Sequence, residues 1–175
     1  NGKVSAKIDG APAIVWGKNP ETGEFFVGTK SVFNKKLIKI NESHSDIDRN
    51  HSGNVADILH HCFDYLPDFD GIVQGDFMGF GGDDTFCPNT ITYIFDEVID
   101  QTIIIAPHTL YATDGDMKDA YVINDMVDME VFDDTESCKF VQPECWQVDE
   151  DFDEIVGFAR QMAQLVTFAD KKEAA

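Results

Sequence analysis

The sequence has few cysteines, and none of them has the spacing of a common metal or redox motif. The four are Cys62, Cys87, Cys138 and Cys145, and no two form a Cys-x-x-Cys pair. This spacing excludes the common zinc ribbons and a thioredoxin-type redox motif, and it shows no disulfide framework. We therefore expect reduced thiols, mostly buried as small hydrophobic groups, in an intracellular protein.

Long apolar segments are also missing from the chain. No apolar run approaches the roughly 18 residues that a membrane-spanning helix needs, and no signal peptide is visible. We therefore expect a cytoplasmic protein with no membrane partner. The chain has 175 residues, 43% of them hydrophobic, which is enough for a single globular domain over residues 1–175.

Positive charge is scarce, and much of it lies near the start of the chain. The protein has 13 Lys and Arg against 33 Asp and Glu, for a formal net charge of −20. Residues 1–40 hold seven lysines and carry a net charge of +4, whereas residues 41–175 carry −24. The acidic part would repel a polyanion such as a nucleic acid, so we expect any partner of that kind to bind through the Lys-rich segment 3–39.

The pattern of polar and apolar residues predicts mainly strands joined by short turns. Strands are expected at 3–9, 11–17, 24–30, 71–79, 90–97 and 101–106, with shorter ones at 120–123 and 138–141. One helix is expected from Ser52 or Asn54 to Leu66, and a second over 151–170 at the end of the acidic region 112–175. Residues 41–53 are expected to be irregular. The predicted fold class is α+β, with mainly antiparallel sheets and two or more helices.

One short motif is a candidate for chemistry, Lys7-Ile8-Asp9-Gly10. A lysine acts as a nucleophile when its charged form is disfavoured, by nearby cations or by burial. The hairpin predicted over 11–30 returns three further lysines towards the motif, Lys30, Lys35 and Lys36. These cations would lower the pKa of Lys7 and bind a triphosphate, while Gly10 would let a ligand approach closely. The competing interpretation is a strand-end turn with Lys7 in solvent.

The motif resembles motif I of ATP-dependent RNA and DNA ligases and of mRNA capping enzymes, the covalent nucleotidyltransferase superfamily. In that superfamily the lysine attacks the α-phosphate of the nucleotide and becomes a covalent Lys–NMP. The resemblance implies that Lys7 is catalytic, that Asp9 and Gly10 bind nucleotide, and that ATP and Mg²⁺ are the cofactors. It also implies a fold like that of a ligase adenylation domain.

Three further segments resemble motifs of the same superfamily, in the same order along the chain. They are Gly28-Thr29-Lys30-Ser31, Ile72-Val73-Gln74-Gly75-Asp76-Phe77 and Thr92-Tyr93-Ile94-Phe95-Asp96. The resemblance implies that Lys30 contacts nucleotide or substrate. It implies that Asp76, in place of the usual Glu, contacts the ribose or the metal, and that Phe95 stacks on the purine. Lys35 and Lys36 are expected to meet phosphates.

Proteins of tailed marine phages resemble the chain more closely, over about residues 5–111. The shared motifs, the first being Lys-x-Asp-Gly-Ala-Pro-Ala, correspond here to residues 7–13, 25–30, 46–48, 74–77, 88–91 and 108–111. Two superfamily motifs are not found, a metal-binding Glu-Gly motif and a phosphate-binding Lys-x-Lys motif. We therefore expect either an incomplete domain or a noncatalytic phage protein that binds nucleotide or a protein partner. If a phage encodes the protein, its location is the host cytoplasm.

Other polar clusters allow alternative interpretations. Residues 46–57 resemble a calcium-binding loop at several positions, although the Gly that the loop requires is missing. Asp83-Asp84 and Asp114-Gly115-Asp116 are candidate magnesium ligands or ordinary turns. His108 is a candidate substrate contact or a structural hydrogen-bond partner. His60-His61 has no Cys or His near it in the sequence with a spacing typical of zinc.

Overall fold

The structure is a computed structural model that describes residues 7–125, 132–142 and 153–164. The chain divides into two compact units, Asn1–Cys145 and Trp146–Ala175. Within the described residues the first unit holds strands and two helices, and the second holds one helix, α3 (Asp153–Gln164). This combination confirms the predicted α+β class.

The described part of the first unit contains eight strands. They are β1 (Ala13–Lys18), β2 (Phe25–Gly28), β3 (Ile72–Phe80), β4 (Thr85–Phe86), β5 (Tyr93–Ile94), β6 (Ile103–Ala112), β7 (Tyr121–Asp125) and β8 (Cys138–Phe140). The main sheet has the antiparallel order β2-β1-β3-β6-β7, with β8 added parallel to β6. A separate antiparallel pair is formed by β4 and β5. Mainly antiparallel pairing was predicted, and the structure confirms it.

Strands β3 and β6 are the longest and lie at the centre of the main sheet. β6 begins with three isoleucines, and β-branched side chains suit a pleated surface that is packed on its faces. Every residue from Ile103 to His108 is buried, so both faces of the strand are covered there. Strand β3 is likewise buried from Ile72 to Met78. These two strands therefore form the rigid frame on which other elements are placed.

One face of the main sheet packs against two helices, α1 (His44–Asn50) and α2 (Asn54–Tyr65). The apolar side of α2 includes Ile58 and Leu59. They join the fully buried Trp16 of β1 and Ile47 of α1 in the largest core cluster. Burying each such side chain stabilises the fold by about 1.5–3 kcal/mol. The helices are thus fixed to the sheet by the hydrophobic effect, and their polar sides remain in solvent.

Several predicted elements are confirmed, and some boundaries were wrong. Residues 41–53 were expected to be irregular, but they contain α1, which starts because Ser43 caps the backbone N–H of Asp46. Helix α2 begins after Gly53, at a φ of 60°, and neither Ser52 nor Asn54 is its cap. The described part of the second predicted helix, Asp153–Gln164, is helical.

The strand predictions differ from the structure mainly in length. The strand expected over 90–97 is only Tyr93–Ile94, because Ile91 and Ile94 point into solvent and have no apolar surface to pack on. The strand expected over 101–106 continues to Ala112, where β7 supplies a pairing partner. Residues 7–10, expected in a strand, have no regular secondary structure, and residues 1–6 lie outside the described part.

The other face of the main sheet has two apolar clusters with polar residues between them. One cluster consists of Val15, Phe26, Val32, Ile72 and Met117. The second consists of Met78, Phe86, Ile99, Ile104 and Ala106. Between Ile72 and Met78 the same face of β3 carries Gln74 and Asp76, both buried, because alternate residues of a strand share a face. Burying polar side chains costs free energy unless they find partners, so this polar row is where a functional site is to be sought.

Within the described residues, no helix combines the length and the apolar character that crossing a membrane requires.

Candidate functional site

Lys7 lies beside a buried carboxylate on the polar row of the sheet. Its Nζ is 2.5 Å from Asp76 Oδ2 and 3.0 Å from Asp9 Oδ1. The Asp76 side chain is only 7% exposed, whereas that of Lys7 is 46% exposed. The pair therefore has one member held in the sheet and one that a ligand can reach from solvent. Lys7 and Asp76, both predicted as site residues, are brought together although 69 positions separate them.

Backbone contacts hold the Lys7 segment against β3. The N–H of Ala11 donates to the carbonyl of Phe77 over 3.0 Å, and the N–H of Gly10 faces Asp76 Oδ2 at 3.4 Å. A Cβ at Gly10 would collide with the carbonyl oxygen of Phe77. Only glycine permits this close approach, which in turn keeps Lys7 beside Asp76. The nucleotide contact expected of Gly10 stays a prediction.

The short β4–β5 pair and the loop within it fix Asp9. The hydroxyl of Tyr93 accepts from the N–H of Asp9 over 2.8 Å and donates to its carbonyl over 3.1 Å. The amide of Asn89 donates to Asp9 Oδ2 over 2.8 Å. Hydrogen bonds from Lys7 and Asn89 lower the pKa of Asp9. Asp9 is therefore an ionised, oriented side chain at the solvent side of Lys7.

His108 reaches Asp76 because β6 is irregular at that point. The register pairs Gln74 with Thr109 and Gly75 with Pro107, so His108 is an extra residue in a β-bulge. Its Nε2 lies 3.4 Å from Asp76 Oδ1 and 3.3 Å from the amide nitrogen of Gln74. Its Nδ1 lies 2.7 Å from the hydroxyl of Thr109. The bulge thus adds an imidazole to the polar row. This imidazole faces Asp76 Oδ1, whereas Lys7 contacts the other carboxylate oxygen, Oδ2.

The electrostatics at Lys7 differ from the sequence-based expectation. Burial disfavours the ammonium, but the hydrogen bonds and charges of Asp76 and Asp9 outweigh it and raise the pKa of Lys7. Burial also opposes the ionised form of Asp76, yet hydrogen bonds from His108 and Lys7 lower its pKa. The expectation that neighbouring lysines lower the pKa of Lys7 was therefore wrong. The charged groups in contact with it are carboxylates, so the resting state is an ion pair.

A cleft of about 660 Å³ opens beside Lys7. Its lining residues are Lys7, Lys30, Phe33, Asn34, Gln74, His108, Thr109 and Tyr111. The volume lies within the range of small-molecule sites, about 300–1,000 Å³. Lys30 begins a 3-10 turn, Lys30–Phe33, and this turn brings a second cation to the cleft. The sequence-based reasoning missed most of the polar and aromatic lining, although the position of Gln74, two residues before Asp76 on one strand, was a usable signal.

Three of the predicted site residues lie away from this cleft. Phe95 packs against Phe86, with ring centroids 5.9 Å apart, and borders a different cavity next to Lys139. Lys35 and Lys36 are exposed and do not line the Lys7 cleft, because the chain turns after Phe33 instead of continuing as a strand. The nucleotide and phosphate contacts assigned to these three residues stay predictions.

The acidic residues considered as metal ligands are engaged in local hydrogen bonds. Asp46 lies in α1 and accepts from the Ser43 hydroxyl, so the segment from 46 is helical and does not form the loop that calcium requires. Asp83 and Asp116 accept from backbone N–H groups of the residues that follow them, as in ordinary turns. Among the described residues, no group of three or more His, Cys, Asp or Glu is arranged to hold a metal. The metal contact implied for Asp76 stays a prediction.

We expect the Asp76→Asn substitution to make Lys7 react faster with an amine-directed acylating reagent at mildly alkaline pH. Only the unprotonated amine reacts, and the raised pKa keeps Lys7 protonated. Removing the carboxylate lowers that pKa. Each pKa unit by which it falls increases the fraction of unprotonated amine about tenfold. Mass spectrometry of the Lys7 peptide gives the rate, with Lys35, which forms no ion pair with another described residue, as internal reference. Equal acylation rates of Lys7 in the wild type and the variant would mean that Asp76 does not set the pKa of the Lys7 amine.

Together the sheet and its cleft define the molecule as an α+β protein with a lysine–aspartate pair on the open face of an antiparallel sheet. The chain belongs to the family described as "Family of unknown function (DUF6267)", which matches it over residues 1–175. No curated protein and no solved structure matches the chain. Its function is therefore inferred from the chemistry of its residues.

Proposed function

We propose that this protein is a covalent nucleotidyltransferase of the RNA/DNA ligase type, in which Lys7 takes up AMP from ATP supplied with Mg²⁺. The observation that carries the proposal is the contact between Lys7 Nζ and the buried Asp76, at a cleft that also receives Lys30. An amine with an adjacent carboxylate has the parts that nucleophilic attack requires, a nucleophile and a proton acceptor. The exposed side of Lys7 is open to a phosphate in the cleft.

The reaction would form one P–N bond and break one P–O bond. Lys7 Nζ attacks the α-phosphorus, and pyrophosphate leaves with the electron pair of the broken bond. The ammonium must first lose one proton, which Asp76 Oδ2, at 2.5 Å, is in direct contact to accept. The nitrogen loses a second proton once the P–N bond has formed, and this proton passes to water. Lys30 would offset negative charge on the phosphates. Mg²⁺ would arrive as part of the substrate, bound to the phosphates of ATP.

The base of the nucleotide needs an aromatic or apolar surface, and the cleft contains one. Phe33 and Tyr111 line it, with ring centroids 4.7 Å apart. We propose this pair as the base-stacking surface of the cleft, whereas Phe95, to which the ligase motif assigns that role, borders a different cavity. In a ligase, AMP would then pass to a 5′-phosphate of RNA or DNA that the Lys-rich segment 3–39 attracts. We assign this reaction to the cytoplasm, or to the host cytoplasm if a phage encodes the protein.

A noncatalytic role in binding a nucleotide or a protein partner is the second candidate. The raised pKa of Lys7 favours it, because an ammonium held by Asp76 and Asp9 attracts phosphate as a cation and does not attack phosphorus. The Glu-Gly and Lys-x-Lys motifs missing from the sequence favour it as well. This candidate predicts that ATP binds in the cleft without forming a covalent adduct.

Labelling with ATP distinguishes the two candidates. The protein is incubated with Mg²⁺ and ATP labelled at the α-phosphate, denatured, and digested for mass spectrometry. We expect AMP on the peptide that contains Lys7, released by acid and stable to alkali, as a P–N bond requires. ATP labelled at the γ-phosphate is the control, because pyrophosphate carries that label away. Equilibrium dialysis that finds bound ATP without an adduct would support noncatalytic nucleotide binding. Absence of both ATP binding and adduct would contradict the nucleotidyltransferase and noncatalytic nucleotide binding, and would leave binding of a protein partner.

A further inference from the structure

A second polar cluster lies on the helical face of the main sheet, where α1 packs against α2. Each helix carries a histidine followed four residues later by an aspartate. These are His44 and Asp48 on α1, and His60 and Asp64 on α2. Residues four apart lie on one side of a helix, so each His-Asp pair can face the other helix.

The two histidines meet through their Nδ1 atoms, which are 2.7 Å apart. Their rings stack, with centroids 4.9 Å apart and planes inclined by 24°. The outer nitrogens each face a carboxylate of the opposite helix. His44 Nε2 is 3.0 Å from Asp64 Oδ1, and His60 Nε2 is 3.0 Å from Asp48 Oδ1. The His44 side chain is 48% exposed and that of His60 27%, so solvent and ions can reach the pair.

Two ring nitrogens at this separation need a positive centre between them, because two lone pairs facing each other repel. With both Nε2 atoms donating to carboxylates, one Nδ1 must carry a proton for the other to accept. A metal ion between the two Nδ1 atoms would supply that positive centre.

We propose that His44 and His60 form a binding site for a transition-metal dication such as Zn²⁺, with Asp64 and Asp48 orienting the rings. A carboxylate on the far nitrogen is the usual outer partner of a metal-bound histidine, because it fixes the tautomer and the ring direction. Tetrahedral zinc, with Zn–N distances of about 2.0–2.1 Å, holds two nitrogens about 3.3 Å apart, so the rings must separate by only about 0.6 Å. Water completes the coordination of this two-histidine site.

The chemistry of the ligands selects the class of metal. Imidazole nitrogens suit zinc, copper and nickel, whereas Mg²⁺ and Ca²⁺ prefer oxygen ligands. The carboxylates of Asp48 and Asp64 contact the outer ring nitrogens and are not themselves ligands of the proposed metal. A bound ion would join α1 to α2 and stabilise the packing of these helices on the sheet. The site shares no residue with the Lys7 cleft, so it is independent of the proposed nucleotide chemistry.

Calorimetric titration of the metal-free protein with ZnCl₂ tests the proposal. The titration uses the Cys87→Ser background, because Cys87 is an exposed thiol that can bind zinc by itself. We expect one Zn²⁺ per chain, with about one proton released per ion, measured by repeating the titration in buffers of different ionisation enthalpy. Titration with MgCl₂ should show no binding at this site.

Matched variants identify the ligands. His60→Ala should abolish zinc binding, whereas His61→Ala should retain it, because His61 contacts the carbonyl of Asp57 on another side of the helix. Asp48→Asn and Asp64→Asn should weaken binding by about 10–100-fold. Circular dichroism verifies that each variant folds. If His60→Ala does not fold, the two aspartate variants test the proposal. No zinc binding, binding that survives His60→Ala, or equal loss in His61→Ala would overturn the proposal.

Discussion

Replacing Lys7 by arginine is expected to abolish AMP transfer to the protein without disturbing its fold. Arginine keeps a positive charge beside Asp76, but its guanidinium does not lose a proton under these conditions and is not a nucleophile. Lys7→Ala is the less informative change, because it leaves the buried carboxylate of Asp76 with His108 as its remaining side-chain partner. Removing the ammonium partner of the buried Asp76 Oδ2 costs about 1–3 kcal/mol, so loss of label in that variant does not separate lost chemistry from a weakened fold.

The measurement is label retained from α-phosphate-labelled ATP after denaturation, with thermal unfolding of each variant in parallel. Lys118→Ala is the matched control, because Lys118 is an exposed lysine that does not line the cleft and has no role in the proposed reaction. It should label like the wild type. Label that persists in Lys7→Arg would move the acceptor to another residue and remove Lys7 from the mechanism.

The sequence predicted those elements whose pattern is strong over a short stretch. Helix α2 has a continuous apolar side, and β6 begins with a run of β-branched residues, so both were found. Helix α1 was missed because Ile47 is its only buried residue and the rest of its seven residues are polar. Its helical state depends on the Ser43 cap and on the burial of Ile47 in a core that other segments supply. Such an element is stabilised by tertiary contacts that a local pattern does not contain.

The site was predictable where a motif marks it and not where long-range geometry builds it. Lys7 and Asp76 were both assigned from motifs, and the structure brings them into contact. The approach of His108 depends on a β-bulge, which no short sequence pattern announced. The sign of the pKa shift at Lys7 also depends on the fold. Sequence proximity suggested that lysines surround it, whereas carboxylates from β3 and from its own loop do so.

The histidine pair was missed for a related reason. His60 was assessed only with its sequence neighbours, and its partner His44 lies in a segment expected to be irregular. Once α1 forms, the four-residue spacing of His and Asp in both helices becomes meaningful. The information was present in the sequence, but it could be read only after the packing of the two helices was known.

Asp76→Asn is expected to slow AMP transfer by about 10²–10⁴-fold, the usual contribution of a positioned general base. Asparagine has nearly the same shape, so the position of Lys7 should change little, but its amide does not take up the proton that Lys7 must lose. The same substitution should raise the rate at which Lys7 is acylated, since it lowers the pKa of the amine. Misfolding would also free Lys7 from its ion pair and stop AMP transfer, so thermal unfolding of the variant is measured in parallel, and the opposite changes are assigned to the carboxylate only in a variant that unfolds like the wild type.

Asp9→Asn is the matched control for this prediction. Asp9 also contacts Lys7, at 3.0 Å, and also raises its pKa, but it lies at the exposed side of the amine. We expect its substitution to increase acylation moderately and to leave most of the AMP transfer, because the buried acceptor Asp76 remains. If Asp76→Asn increases both acylation and AMP transfer, Asp76 only holds Lys7 in its charged form. The proton of Lys7 would then leave by another route. Asp76 would slow AMP transfer by keeping Lys7 protonated and would not act as its general base.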